Sequence, residues 1–266
     1  MDRRTFLGVV GTTSVASAAA LHLPFEELGY TACLDLQRTM AKEHHDIVLS
    51  RSDLKSVASL SQKLYLTRQT VGYGNFNLLD FDEMYRVGKE YSAVGAFTKA
   101  ELDLFESIFY ENAARYGFYG EKVFTSLTES IRKDETVKIS HTGHYLYKGR
   151  AVEMYEKIRK DIGDTMILTS GVRSVVKQMD LFLRKVVRSR GNVSVASRSL
   201  APAGYSFHGV GDFDVGKVGM GNKNFTSAFA ETDEFKKLID SGYVQIRYPR
   251  GNPFGVRYEP WHIKVV

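Results

Sequence analysis

In "FTKAELDLFESIFYENAARYGF" the residues Leu102, Phe105, Ile108 and Phe109 recur with helical spacing, and polar residues fill the opposite face. Thr98 stands ahead of this run and Glu101 follows three residues later, the spacing of a capping box. Residues from about 25 to 135 read mainly as helices of this kind. After about residue 150 the pattern changes. "RAVEMYEKIRKDIG" reads as a helix closing at Gly163, "TMILTSG" as a short apolar strand, and "SVVKQMDLFLRKVV" as another helix. "NFTSAFAETDEFKKLIDSGY" reads as helical, with Thr232 capping a second segment and Gly242 ending it, and "VQIRY" and "WHIKVV" close the sequence as strands. Helices and strands mixed without strict alternation predict an α+β fold.

Composition narrows this picture in a few places. With 266 residues and 43% apolar content, the chain can bury one large core or two small ones. The division it suggests is a helical region over 21–145 and a mixed domain over 146–266. The net charge of +5 suits an anionic partner. The basic residues are scattered, with no run interleaved with aromatics, so nucleic acid is not expected and a solvated surface is. Cys33 is the sole cysteine, which excludes an internal disulfide and leaves His, Asp and Glu to build any metal site. It follows "YTA", without the aliphatic residue expected ahead of a lipidated cysteine, and reads as a small core residue. The opening "MDRRTFLGVVGTTSVASAAALH" has paired arginines, a weakly apolar middle and an A-x-A end, an export signal of the twin-arginine type over 1–20. The expected location of the mature chain is therefore the periplasm or cell envelope. This run is too short and polar for a stable membrane span, and no other stretch approaches that length.

Three stretches of the second half hold polar groups that a core would not require. "LTSGVRSVVKQ" puts Arg173 at a strand-to-helix turn, "GYSFHGVGDFDVG" places Ser206, His208, Asp212 and Asp214 among glycines, and "EPWH" sits near the C-terminus. A catalytic zinc takes three N or O ligands and keeps one position open, and His208, Asp214 and His262 supply two imidazoles and a carboxylate. In a straight strand Glu259 and His262, three apart, would face opposite ways. Pro260 argues for a bulge or turn there, which would aim both into one cavity. Glu259 would then serve as general base on the attacking water and general acid for the leaving amine, with Arg173 holding a developing oxyanion or a substrate carboxylate. His44, His45, His141 and His144 read as surface or core residues.

Taken in order, "SGVRS" with Gln178 beyond it, "SFHGVGDFDVG" and "EPWH" resemble the motifs of the VanY-type D-alanyl-D-alanine carboxypeptidases, zinc peptidases of the bacterial cell wall. The resemblance covers roughly residues 150 to 266. It implies a small antiparallel-sheet zinc peptidase domain of the D-Ala-D-Ala carboxypeptidase/Hedgehog type, preceded by the mainly helical region. It implies one catalytic zinc on His208, Asp214 and His262, Glu259 as catalytic carboxylate, and Arg173 supporting the transition state or the substrate. Ser206 and Gln178 match positions near the substrate's peptide end, and Trp261 is expected to fix the turn between Glu259 and His262. Two departures stand out. Asp214 follows His208 with five residues between where the family has six, which makes Asp212 a rival ligand. The following Val215 and Gly216 continue the family's "DVG" register and favour Asp214. Val172 stands where the family often has Tyr.

The activity implied is an exported zinc carboxypeptidase that removes the terminal D-alanine from peptidoglycan stem peptides. An L,D-carboxypeptidase or a cross-link endopeptidase would use the same residues. A non-catalytic wall-binding protein would be expected to have lost some of Glu259, Arg173 and the histidines, and here all are present.

Overall fold

The computed structural model describes residues 46–266; the expectations for the export signal, Cys33, His44 and His45 lie outside the described residues. Helix α1 (Arg51–Val71) starts at Ser50, whose side chain accepts from the Asp53 amide, and ends at Gly72 with φ +83°. The short α2 (Tyr73–Phe76) follows at once. Helices α3 (Phe81–Glu90) and α4 (Lys99–Tyr110) both open with complete capping boxes, Asp80 with Glu83 and Thr98 with Glu101. The second is the one the spacing predicts, and α4 buries Phe105, Ile108 and Phe109 as its apolar face requires.

The α-helices do not run on to about residue 135. Past Tyr110 the chain makes a short 3-10 turn, Ala113–Tyr116, that ends on Gly117 in the left-handed region (φ +88°). An unforeseen hairpin then forms from β1 (Thr136–Ile139) and β2 (His144–Tyr147). Helix α5 (Arg150–Ile162) stops at Gly163 as read, and β3 (Met166–Ser170) leads into α6 (Val175–Arg188) and the short α7 (Val193–Ser197). After β4 (Phe213–Lys217) the stretch expected to be helical begins as 3-10 turns and becomes α only in α8 (Asp233–Asp240), capped by Thr232. Strands β5 (Ile246–Tyr248) and β6 (Glu259–Ile263) complete an antiparallel sheet of order β3-β4-β6-β5. The architecture is α+β, with a mainly helical N-terminal region.

Two apolar cores hold these elements. One lies between the sheet and helices α5 and α8, built from residues such as Ile158, Phe213, Val215, Leu238 and Ile263. The other joins Val57, Leu60 and Leu64 of α1 to Met179, Phe182 and Val186 of α6. Each such fully buried side chain contributes about 1.5–3 kcal/mol. The helical region thus packs against the very helix that follows "SGVRS". Helix α6 buries polar residues as well: Lys177, Gln178 and Asp180 are all within its enclosed surface, although a helix spends such side chains on water when nothing else calls for them. No described helix is long and apolar enough to cross a membrane.

Candidate metal centre and active site

Three local devices bring the site together. At the end of β3, Gly171 lies so close to the β1–β2 hairpin that a Cβ there would sit 2.0 Å from the Tyr145 carbonyl oxygen. The Val172 amide donates to that same carbonyl at 2.8 Å. The Gly171 carbonyl in turn lies 2.8 Å from Nδ1 of His208, which rides on a 3-10 turn, Phe207–Gly209. Next, the ladder of the sheet sets Asp214 on β4 directly opposite His262 on β6, so their side chains share a face. Last, Ile246 pairs with Ile263 and Tyr248 with Glu259, so the β5–β6 register shifts across Pro260 and Trp261. That is the bulge Pro260 predicts, and it places Glu259 Oε2 3.5 Å from His262 Nδ1.

The histidine tautomers follow from their outer partners. His208 Nδ1 faces a carbonyl, which can only accept, so Nδ1 carries the hydrogen and Nε2 presents its lone pair. His262 Nε2 lies 3.2 Å from Asp212 Oδ2, so Nε2 donates there and Nδ1 presents its lone pair. Both lone pairs point at one oxygen: Asp214 Oδ1 is 3.2 Å from His208 Nε2 and 3.7 Å from His262 Nδ1. Three acceptors converging in a buried place repel one another unless a cation lies among them.

In the metal-free site a proton on His262 Nδ1 takes the place of such a cation. Burial, aided by the Arg173 charge, pushes the His208 imidazole down to about 4, so it is a neutral donor of electrons. Burial also opposes charge on His262, but Asp212, Glu259 and Asp214 outweigh it and push His262 up to about 9. Burial alone would raise the Asp214 carboxyl, yet the Arg173 and His262 charges beside it hold it well below the usual range. Glu259 is raised, because burial dominates its other interactions.

The donor set fits a tetrahedral zinc ion. Ligands about 2.0–2.1 Å from such an ion are roughly 3.3 Å from each other, close to the separations of 3.2 and 3.7 Å found here. His208, Asp214 and His262 are the one group of three or more His, Cys, Asp or Glu among the described residues placed to hold a metal ion.

The other residues singled out in the sequence lie around this point. Arg173 donates from Nη2 to Asp214 Oδ2 at 2.6 Å and from Nε to Ser170 Oγ at 2.9 Å. Ser206 and Gln178 line the same cleft of about 510 Å³ as the triad and Glu259. Gln178 donates to the Ala201 carbonyl at 2.6 Å, and its own Oε1 is buried without a partner. Trp261 is buried, with Phe225 edge-on to its ring. Val172 is buried in the helical core. His141 is exposed and His144 is buried edge-on to Tyr73.

Other residues at the site had no such role, or no mention, in the sequence reading. Asp212, the rival ligand, sits behind His262 instead: it takes two hydrogen bonds from Arg247, at 2.7 and 3.0 Å, and one from the Val265 amide. Tyr248 packs edge-on against His262. Tyr73, from the helical region, lines the cleft, and no pattern around it announced this. Lys177, buried on α6 and lining the cleft, was not singled out either.

Comparison with known proteins agrees with the motifs. Residues 144–266 match the VanY family, D-alanyl-D-alanine carboxypeptidase. Among solved structures, the LdcB LD-carboxypeptidase is 26% identical with a TM-score of 0.39, covering 46% of this chain and 59% of that one. The chain therefore spans under two thirds of that protein's length. The vancomycin resistance D,D-pentapeptidase VanY, in complex with Zn(II), is 23% identical with a TM-score of 0.38, covering 50% of this chain and 78% of that one. The vancomycin resistance D,D-dipeptidase VanXYg, in complex with a D-Ala-D-Ala phosphinate analogue, is 17% identical with a TM-score of 0.42, covering 51% and 61%. No curated protein matches the chain.

Proposed function

We propose that the VanY-type region, residues 144–266, makes this chain a zinc-dependent D-alanyl-D-alanine carboxypeptidase acting on peptidoglycan stem peptides. The observation that carries the reading is the convergence of His208 Nε2 and His262 Nδ1 on Asp214 Oδ1, with a buried glutamate beside them. In this reading His208 Nε2, Asp214 and His262 Nδ1 hold one zinc ion. When bound, zinc supplies Lewis-acid polarisation of the scissile carbonyl and acidifies water. Glu259, whose carboxyl is raised by burial, takes the proton of the attacking water and passes it to the leaving amine as the C–N bond breaks. Arg173 holds the charge that develops on the carbonyl oxygen, or the substrate's terminal carboxylate. Asp212, clamped by Arg247, fixes the His262 tautomer that presents Nδ1. Ser206 and Gln178 stand ready for the peptide end of the substrate. Export by the twin-arginine route, read from residues 1–20, completes the proposal and would place the protein beside its substrate.

The test is to incubate the full chain with a muramyl-type pentapeptide ending in D-Ala-D-Ala and follow the products by mass. Loss of one alanine, abolished by a chelator and restored by zinc, is expected. Cleavage that survives metal removal would sink the mechanism. Cleavage of a tetrapeptide or a cross-link in preference would replace the substrate and keep the site.

The protonation pattern gives a second expected outcome. His262 is protonated at neutral pH because its folded value lies near 9, above its ordinary 6.5. His262 Nδ1 would have to give up that proton to serve as a metal ligand. At pH 7 binding should release close to one proton, and the release should fade as pH rises past about 9. In the metal-free protein the same shift contributes stability that is full below pH 6.5 and lost as pH rises through about 9. Calorimetry in buffers of different ionisation enthalpy measures the release, and binding with no proton exchange at pH 7 would contradict the assignment.

A further inference from the structure

The cleft does not end at the triad. It continues along α6, where Lys177, Arg184 and Arg188 follow one another at helical spacing and Lys185 flanks them. Arg257, just before β6, lines it as well. The two acidic residues lining this cleft, Asp214 and Glu259, are both at the triad. Asp180 is buried behind the stripe and is shared by Arg68 at 3.4 Å and Arg184 at 3.2 Å, so it offsets only part of the charge. Lys185 and Arg188 have no carboxylate partner among the described residues. Arg257 lies 3.9 Å from Glu259 and stacks near Trp261.

A merely solvated basic face would stand out from the surface. This one lines a concavity, and Lys177 is only 3% exposed, its ammonium held over the Tyr73 ring at 4.7 Å. Burial pushes Lys177 down to about 7, and burial with the nearby Arg257 and Arg188 charges pushes Lys185 down. Like charges gathered in this way cost stability in the free protein and are relieved by an anion. The stripe from Lys177 to Arg188 is about 16 Å long at 1.5 Å per residue, the span of roughly five residues of extended peptide.

We infer that this arm of the cleft is a subsite for a peptide segment bearing free carboxylates upstream of the cleaved bond, held by Lys185, Arg188 and Arg257. The inference rests on the peptidase reading for the direction of the peptide, and its test is separable from that reading. The full-length Glu259→Gln protein, loaded with zinc, is titrated with two labelled pentapeptides ending in D-Ala-D-Ala. One has glutamate at the second residue and the other has glutamine. Several partly exposed ion pairs together should favour the acidic peptide by roughly tenfold at low salt, and added salt should erode the preference. Lys185→Gln combined with Arg188→Gln should bring the ratio of the two affinities toward one, while Lys236→Gln on another face should leave the ratio in place.

Equal affinity for both peptides, or a preference untouched by the double substitution, would overturn the subsite. Tighter binding of a phosphate-bearing polyanion than of the acidic peptide would also overturn it, by giving the arm a different ligand. Hydrolysis is scored separately with the unsubstituted protein, so failure to cleave counts against the peptidase reading and leaves the affinity ratio to judge the subsite.

Discussion

Glu259→Gln should leave zinc bound at one ion per chain and lower kcat/KM on a D-Ala-D-Ala peptide by roughly 10²–10⁴-fold. The amide keeps the length and shape of the side chain and its place 3.5 Å from His262 Nδ1, but it cannot accept and return a proton. Glu259 is not one of the three converging donors, so metal content should not follow activity down. A parallel loss of zinc would make Glu259 a ligand, and near-normal turnover would remove it from the mechanism. Measuring zinc content and kinetics on the same preparation distinguishes these outcomes.

The second large effect separates the two aspartates. Asp214→Asn should abolish stoichiometric zinc binding, because it removes the charged oxygen on which both imidazoles converge. Asp212→Asn should still bind one zinc, with affinity reduced roughly 10–100-fold through loss of the group that orients His262. It should also be less stable than the unsubstituted protein. Its Arg247 pair is buried, and breaking such a pair by removing one partner costs about 3–5 kcal/mol. Titration with zinc and thermal melts of both variants, metal-free, would show the contrast. Zinc retained by Asp214→Asn and lost from Asp212→Asn would reverse the assignment.

Much of this was legible because the site is assembled from short segments whose local chemistry is unusual. A proline between Glu259 and His262 signalled a break in pairing, and the register does shift there. Glycines around His208 signalled a tight turn, and a 3-10 turn carries it. The choice between Asp212 and Asp214 was not open to strand parity. It depends on which ring nitrogen of His262 each one faces, a fact of tertiary structure. Tyr73 was out of reach for a similar reason. It reaches the cleft because α1 packs along α6, an encounter between segments more than a hundred residues apart that no local period encodes. The hairpin at 136–147 was missed because its strands are only four residues long and β1 does not alternate in burial. The helical reading of 111–135 failed where glycine conformation outweighed propensity, as at Gly117.

The shared core of α1 and α6 has a consequence for the order in which the molecule becomes competent. The cleft draws its walls from Tyr73 near one end of the described chain and from β6 near the other. Contacts of such long sequence separation form slowly, since each must close a large loop before it is rewarded. A refolding experiment should therefore recover helical content well before it recovers metal affinity. Zinc, which can recognise only the finished arrangement, would act as a late latch on the folded state.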